Sequence, residues 1–161
     1  MNTIIILKEG FCYLKNYEFY SVSKQDICQF ENDDFQLRLN PIPLLKKHLM
    51  MTGFNKCHDN FGRGDYFKLM GINIWWNKEK QVYYYTCRRF IFYMRYFHEL
   101  QYFLEKYLHL SINDYTEIAG YINNYYSSAR SRFNLNLYYQ SMGIHPGSGF
   151  TYQCDTKNKH F

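Results

Sequence analysis

The chain has 161 residues, of which 47% are hydrophobic and 20% are charged, and its formal net charge is +5 at pH 7. These values exclude a largely disordered chain and predict one compact domain, or one domain with a small appendage. The basic excess is spread along the sequence, which permits weak affinity for polyanions without requiring it. Aromatic residues make up 21% of the sequence. Because Tyr, Phe, Asn, Lys and Ile have A/T-rich codons, gene composition alone can produce this abundance.

Residues 1–40 predict a small β module. Short segments rich in β-branched and aromatic residues are separated by polar residues or glycine, with the sequences IIILK, FCYLK, EFYSVS, ICQF and FQLRL. Regular spacing of this kind is typical of a small meander or barrel.

Residues 41–110 predict a helix, a β-hairpin and a second helix. Pro43 suits the first position of a short helix, and Gly53 lies where a left-handed C-cap is expected. Two apolar runs then flank the polar turn NKEKQ, and Gly71 within the first run predicts a bulge. Over residues 94–110, apolar side chains recur every three or four positions, which predicts an amphipathic helix.

The C-terminal part predicts one further helix and a tail. Ser111 and Asp114 resemble a capping box at the start of a helix within residues 111–133. Periodicity is lost beyond that point, so residues 134–161 are predicted to be irregular. The expected fold is therefore a single α+β domain over residues 1–133 followed by a tail.

The cysteines indicate a reducing environment. The chain has five cysteines, an odd number, with no C-x-x-C pair. The N-terminal apolar run is too short for a signal peptide or a membrane span. We therefore expect a cytoplasmic protein with free thiols and no membrane association. Cys57 and His58 are adjacent and no second ligand pair lies at a usable spacing, so neither a metal site nor a cofactor is predicted.

Arginines and tyrosines interleave between residues 82 and 96. Exposed aromatic rings beside arginines can stack on bases and hold phosphates. In a strand, Tyr83 and Tyr85 share one face with Arg89, whereas Tyr84 shares the other face with Arg88. One face is expected to be core, and the other is either a stacking platform or is covered by the helix at residues 114–131. The candidate binding residues from this region are Tyr83, Tyr85, Arg88, Arg89 and Arg95.

A second polar group lies on the predicted helix. His98, Gln101 and Glu105 fall near one stripe of it. His98 and Glu105 could act as an acid–base pair on a bound substrate, but they are two turns, about 10 Å, apart. The competing interpretation is a solvated helix face, or His and Gln side chains that satisfy nearby backbone groups. Because no nucleophile or metal accompanies the pair, catalytic residues are not assigned and an enzyme is the least supported class.

Two motifs resemble those of small uncharacterised proteins from phages and mobile elements of gut Bacteroidetes. In that group an IPLT…L…GF segment precedes a β-hairpin, and a YVHELQNLYF-like helix closes the domain. The matching residues here are Ile42, Pro43, Leu44, Leu49, Gly53, Phe54, Tyr96, His98, Glu99, Leu100 and Gln101. The resemblance covers residues 10–112, and Leu45 departs from the pattern, which has a polar cap after the second proline.

The resemblance implies a setting rather than an activity, namely an accessory protein acting inside a bacterial cell. The first expectation is thus a non-enzymatic protein that binds a host or mobile-element protein, in an anti-defence or regulatory role. The alternative is a protein that binds nucleic acid or nucleotides through the arginine- and tyrosine-rich surface.

Overall fold

The computed structural model describes residues 3–144 and 150–154 and confirms the α+β class. The chain divides into two compact units. Unit 1 comprises Met1–Ile42 and Tyr115–Phe161, and unit 2 comprises Pro43–Asp114. The expectation of one domain over residues 1–133 differs from this division, because the C-terminal segments return to complete the unit that the N-terminal residues begin.

The described elements in chain order are β1 (Ile4–Leu7), β2 (Cys12–Lys15), β3 (Glu18–Ser21), α1 (Lys24–Glu31), α2 (Lys46–Met51), β4 (Asn55–His58), β5 (Asp65–Leu69), β6 (Ile72–Asn77), β7 (Val82–Cys87), β8 (Phe90–Met94), α3 (Phe97–Leu108), α4 (Thr116–Tyr125), α5 (Ala129–Ser141) and β9 (Thr151–Cys154).

The N-terminal strands of unit 1 form two small sheets rather than a meander. β2 and β3 are an antiparallel hairpin whose turn residues, Asn16 and Tyr17, both have positive φ, as in a type I′ turn. β1 pairs in parallel with β9. The prediction of an irregular tail from residue 134 is wrong for the described residues, since α5 and β9 lie there. Its other residues, 145–149 and 155–161, lie outside the described part.

Residues 27–30 are helical, contrary to the predicted strand, because a capping box starts α1. The Ser23 hydroxyl accepts a hydrogen bond from the Asp26 backbone N–H at 3.2 Å, and the Asp26 carboxylate accepts one from the Ser23 N–H at 2.9 Å. These reciprocal bonds satisfy two backbone donors that a helix start leaves open. Residues 35–39, all described, form no strand.

The predicted helix after residue 111 has different bounds. α4 begins only at Thr116, so the expected capping box at Ser111 and Asp114 does not start it. The helix ends at Tyr125, and Ser128 caps α5 by accepting a hydrogen bond from the Ser131 N–H at 3.1 Å. Two helices, α4 and α5, are therefore found where a single helix within residues 111–133 was predicted.

Unit 2 extends the predicted hairpin into an antiparallel sheet of five strands in the order β4-β5-β6-β7-β8. The apolar run 66–76 folds back on itself because Met70 and Gly71 both have positive φ and form a tight turn. Gly71 therefore marks a turn rather than the predicted bulge. Arg88 and Arg89 form the turn between β7 and β8.

The two helices of unit 2 form its apolar layer. α2 is shorter than predicted and starts after Pro43, which instead bridges to Tyr96. Gly53 confirms the predicted C-cap, with φ +109° and the Phe54 N–H donating to the Leu49 carbonyl at 3.0 Å. α3 confirms the predicted amphipathic helix, and it covers one face of the sheet.

Candidate functional site

Successive side chains of a strand point to opposite sides of a sheet, so the five strands of unit 2 have two faces. On β7 and β8 the inner face packs against α3, with Tyr85 against Phe103 and Phe92 against Tyr102. We call the opposite side the outer face. It carries Asn55, Cys57, Tyr66, Lys68, Asn73, Trp75, Asn77, Val82, Tyr84, Thr86, Ile91 and Tyr93.

Four aromatic residues of the outer face lie side by side across four strands. Tyr66 pairs with Trp75, Trp75 with Tyr84, and Tyr84 with Tyr93. We call Tyr66, Trp75, Tyr84 and Tyr93 the aromatic row. The Tyr66 and Trp75 rings stack with centroids 4.6 Å apart, and the Tyr84 and Tyr93 rings are tilted at 6.5 Å. Tyr93 is 38% exposed and the other three are partly exposed.

An arginine from the loop between β4 and β5 lies over the centre of the aromatic row. The Arg63 guanidinium carbon is 5.0 Å from the centroid of the Trp75 ring. The Asp59 carboxylate fixes this position by accepting hydrogen bonds from the Arg63 backbone N–H at 3.0 Å and from its Nε at 2.9 Å. The hydrogen bond from the Arg63 guanidinium, with that from its backbone N–H, lowers the pKa of Asp59. The Arg63 side chain nevertheless remains 67% exposed.

A lysine from the turn between β6 and β7 covers the other end of the row. The Lys80 ammonium lies 4.6 Å from the Tyr93 ring centroid and donates to the Tyr93 hydroxyl at 3.1 Å. Lys68 also belongs to the outer face. None of the outward-facing residues of β4 to β8, all of which the structure describes, is an aspartate or a glutamate. The face therefore combines aromatic rings with positive charge.

Basic residues also lie at the opposite ends of the strands that carry the row. The antiparallel register places the loop before β5 and the turn after β6 at one end of the sheet, and the turn after β7 at the opposite end. Arg88 and Arg89 occupy that opposite turn, and both are exposed. The aromatic row therefore runs between basic side chains at the two ends of the strands.

The excess of basic over acidic residues lies entirely in unit 2. This unit contains eleven lysines and arginines against six aspartates and glutamates, whereas unit 1 contains eight of each. The expectation of a basic excess spread along the chain holds for the sequence but not for the folded units. A local excess of this kind attracts polyanions over several ångströms.

The predicted tyrosines lie on the inner face and are not a stacking platform. Tyr83 is buried, which raises its pKa to about 12, and its ring contacts Phe67. Tyr85 packs edge-on against Phe103 of α3, with centroids 5.3 Å apart. The helix over this face is thus α3, not the helix predicted at residues 114–131.

The polar residues predicted on α3 do not form a surface site. His98 is only 2% exposed and Gln101 only 4%, so the prediction of a solvated face is wrong for both. Glu105 is partly exposed. Arg95 follows β8, where its backbone N–H donates to Glu99 Oε1 at 3.0 Å and its carbonyl accepts from the Leu44 N–H at 2.9 Å. Its backbone therefore joins the start of α3 to the segment before α2.

The aromatic row was not predicted, although the sequence contains a signal for it. Tyr66, Trp75, Tyr84 and Tyr93 are spaced at equal intervals of nine residues. In a meander with strands and turns of similar length, such an interval returns a side chain to the same face and level of the sheet.

Unit 1 offers a second surface feature, a shallow groove. Its lining residues are Phe30, Asp33, Phe35, Gln36, Leu37, Arg38 and Tyr152. Phe35 packs edge-on against both Phe30 and Tyr152, with centroids 5.8 and 5.1 Å apart. Because the charges of Asp33 and Arg38 are opposite, this groove does not select a ligand by charge.

Within residues 3–144 and 150–154, no three His, Cys, Asp or Glu side chains are arranged to hold a metal ion. None of the five cysteines, all of which the structure describes, forms a disulfide. None of the described helices has the length and apolarity needed to cross a membrane. Comparison with family models, curated proteins and solved structures gave no match to this chain.

Proposed function

We propose that unit 2 binds single-stranded nucleic acid on its outer face. The observation that carries this proposal is the aromatic row, with Tyr66, Trp75, Tyr84 and Tyr93 in cross-strand register. Bases stack on exposed aromatic rings with little regard to sequence, each stack contributing about 1–3 kcal/mol. Basic residues at both ends of the strands would contact the phosphates.

The length of the row sets an expected footprint. Four neighbouring strands span three spacings of about 4.8 Å, or about 14 Å. One base stacked on each of the four rings gives a footprint of about four nucleotides. A duplex hides its base faces in the helical stack, so this surface favours single strands.

The first experiment compares binding of a labelled oligothymidylate and a duplex of equal length, from low to physiological salt. We expect the single strand to bind more tightly, and its affinity to fall as salt rises because phosphate contacts release counterions. Absence of binding even at low salt would contradict the proposal.

The two tryptophans provide a matched pair of reporters. Trp75 lies in the aromatic row, whereas Trp76 lies on the inner face beside Tyr83. A Trp76→Phe protein reports only from the outer face, and a Trp75→Phe protein reports only from the inner face. Single-stranded DNA should quench the fluorescence of the first protein more strongly than that of the second, because Trp76, although 38% exposed, lies on the face opposite the aromatic row. Binding that leaves Trp75 fluorescence unchanged would place the ligand elsewhere.

Substitution within the row tests its contribution to affinity. Tyr84→Thr keeps a residue that suits a strand and removes the ring. The loss of one stack should weaken binding of single-stranded DNA by about 5- to 100-fold. Tyr125→Ala is the control, since Tyr125 is an exposed tyrosine of unit 1 and should have no effect.

A second candidate function is binding of a protein partner, which the exposed apolar residues of α5 favour. Phe133 and Leu137 are 63% and 46% exposed and lie four residues apart, on one side of the helix. The resemblance suggests a host or mobile-element protein as the partner, in an anti-defence or regulatory role. Capture of one protein from bacterial lysate, lost in Phe133→Ser with Leu137→Ser, would support this candidate.

A further inference from the structure

The loop between β4 and β5 holds an aromatic ring out in solvent. Phe61 is 86% exposed, the largest exposed fraction among the large hydrophobic residues in the described part of the chain. Because single exposed apolar side chains are common on protein surfaces, the exposure of Phe61 acquires meaning only from where its loop lies.

The loop that carries Phe61 is held in place by hydrogen bonds. The Asp59 N–H donates to the Gly64 carbonyl at 3.2 Å, and the Gly62 N–H donates to the Asp59 carbonyl at 3.3 Å. The Asp59 carboxylate accepts from the Arg63 N–H, as described above. Gly62 and Gly64 have positive φ, a conformation that glycine adopts without strain. The ring is therefore presented by an ordered turn.

The position of the loop relates Phe61 to the aromatic row. The row ends at Tyr66, because the residue paired with Tyr66 on the edge strand β4 is Cys57. The loop leaves β4 immediately after His58, and its Arg63 reaches over the outer face to Trp75. Phe61 thus belongs to the loop at the corner of the sheet where β4 ends and β5 begins, two residues from the Arg63 that lies over the row.

We propose that Phe61 stacks on a base of the same single strand, beyond the nucleotides that the aromatic row holds. This inference rests on the proposed function and extends it, because it adds a binding position outside the sheet. A strand crossing from β8 towards β4 continues onto the loop, so Phe61 lengthens the footprint from about four nucleotides to more.

A comparison of oligonucleotide lengths tests this extension. Phe61→Ser should weaken binding of an eight-nucleotide oligothymidylate about fivefold or more, and should change binding of a four-nucleotide one less than twofold. Met70→Ser is the matched control, since Met70 is 67% exposed in the turn between β5 and β6. It should alter neither affinity. An unchanged eight-nucleotide affinity in Phe61→Ser, or an equal loss at both lengths, would overturn the proposal.

A reporter at the position itself gives an independent readout. The triple variant Phe61→Trp, Trp75→Phe, Trp76→Phe has a single tryptophan, at the loop tip. Filter retention first establishes that this variant binds the eight-nucleotide strand. Quenching of that tryptophan by the bound strand is the expected result, and unquenched fluorescence would overturn the contact at Phe61. If the Trp75 reporter responds and the loop reporter does not, only the extension fails. If neither responds, the proposed function fails as well.

Discussion

The inner and outer faces of the sheet in unit 2 both carry tyrosine and tryptophan side chains, yet the physical roles of these rings differ. Tyr83 and Tyr84 are neighbours in β7 and point to opposite sides. Tyr83 is buried against Phe67, whereas Tyr84 pairs with Trp75 and Tyr93 on a face that remains partly exposed. Aromatic density alone therefore does not identify a stacking surface, because the register of each strand decides which rings a helix covers.

The inner face is expected to show the largest effect on stability. Phe103 is fully buried and contacts Tyr85, Phe92 and Tyr107 with ring centroids 5.0 to 5.5 Å apart. Phe103→Ala leaves a cavity and should lower the free energy of unfolding by about 3–5 kcal/mol. Urea unfolding followed by tryptophan fluorescence measures it, since both tryptophans belong to unit 2. Tyr84→Ala is the outer-face control and should cost less, about 1–2 kcal/mol, because Tyr84 is only partly buried. Equal losses for the two variants would contradict the assignment of the faces.

The helical layer also contains a group that makes stability depend on pH. Burial lowers the pKa of His48 from 6.5 to about 4, and the neutral ring accepts a hydrogen bond from the Leu45 N–H at its Nδ1, 3.1 Å away. Between these two pKa values the unfolded chain binds more protons than the folded one. The free energy of unfolding should therefore fall as the pH drops from about 6.5 to about 4, by up to about 3 kcal/mol.

Unfolding curves at a series of pH values measure this loss. His48→Asn keeps an acceptor near the start of α2 but cannot titrate in this range, so its stability should depend less on pH. His109→Asn changes an exposed histidine with positive φ, a conformation that asparagine tolerates. This control should keep the full acid-induced loss. A pH profile unaltered in His48→Asn would show that another group is responsible.

The end of α2 gives a smaller effect, set by the backbone. Gly53 has φ +109°, where a side chain is strained even though space is available. Gly53→Ala should lower stability by about 1–2 kcal/mol. Gly120→Ala is the opposite control, since Gly120 lies within α4 with nothing near its Cβ position. It should stabilise that helix by up to about 1 kcal/mol, as read from helical circular dichroism; a destabilised Gly120→Ala would contradict this backbone explanation.

Sequence patterns correctly predicted elements that are stabilised by residues close together in the sequence. The amphipathic helix α3 and the glycine cap of α2 could both be predicted, because each depends on residues that are close in the sequence. α1 was missed although its capping residues, Ser23 and Asp26, were present, since the apolar residues after them suited a strand equally well. α5 was missed because only Leu135 and Tyr139 of its residues are buried, which leaves no periodic stripe.

Features that depend on pairing between distant segments were out of reach of local patterns. The strand β9 exists because β1 offers it a parallel partner, from almost the other end of the chain. The concentration of charge in unit 2 became visible only when the division into units was known. The aromatic row could be predicted only in part. Its interval of nine residues is visible in the sequence, but it predicts a row only if the strands form a meander with hairpins of similar length.

The smallest expected effect on stability comes from the turn between β7 and β8, where Arg88 and Arg89 are exposed. Arg88→Ala with Arg89→Ala should change the free energy of unfolding by about 0.5 kcal/mol or less. If both side chains contact phosphates, however, the slope of log affinity against log salt should become shallower by about 1.4, at about 0.7 per lost contact to a single strand. Arg130→Ala with Arg132→Ala, a basic pair of α5 in unit 1, should leave the slope unchanged. A shallower slope without loss of stability would separate the binding role of the outer face from the packing role of the inner one, whereas an unchanged slope would confine phosphate contacts to the end of the sheet that carries Arg63 and Lys80.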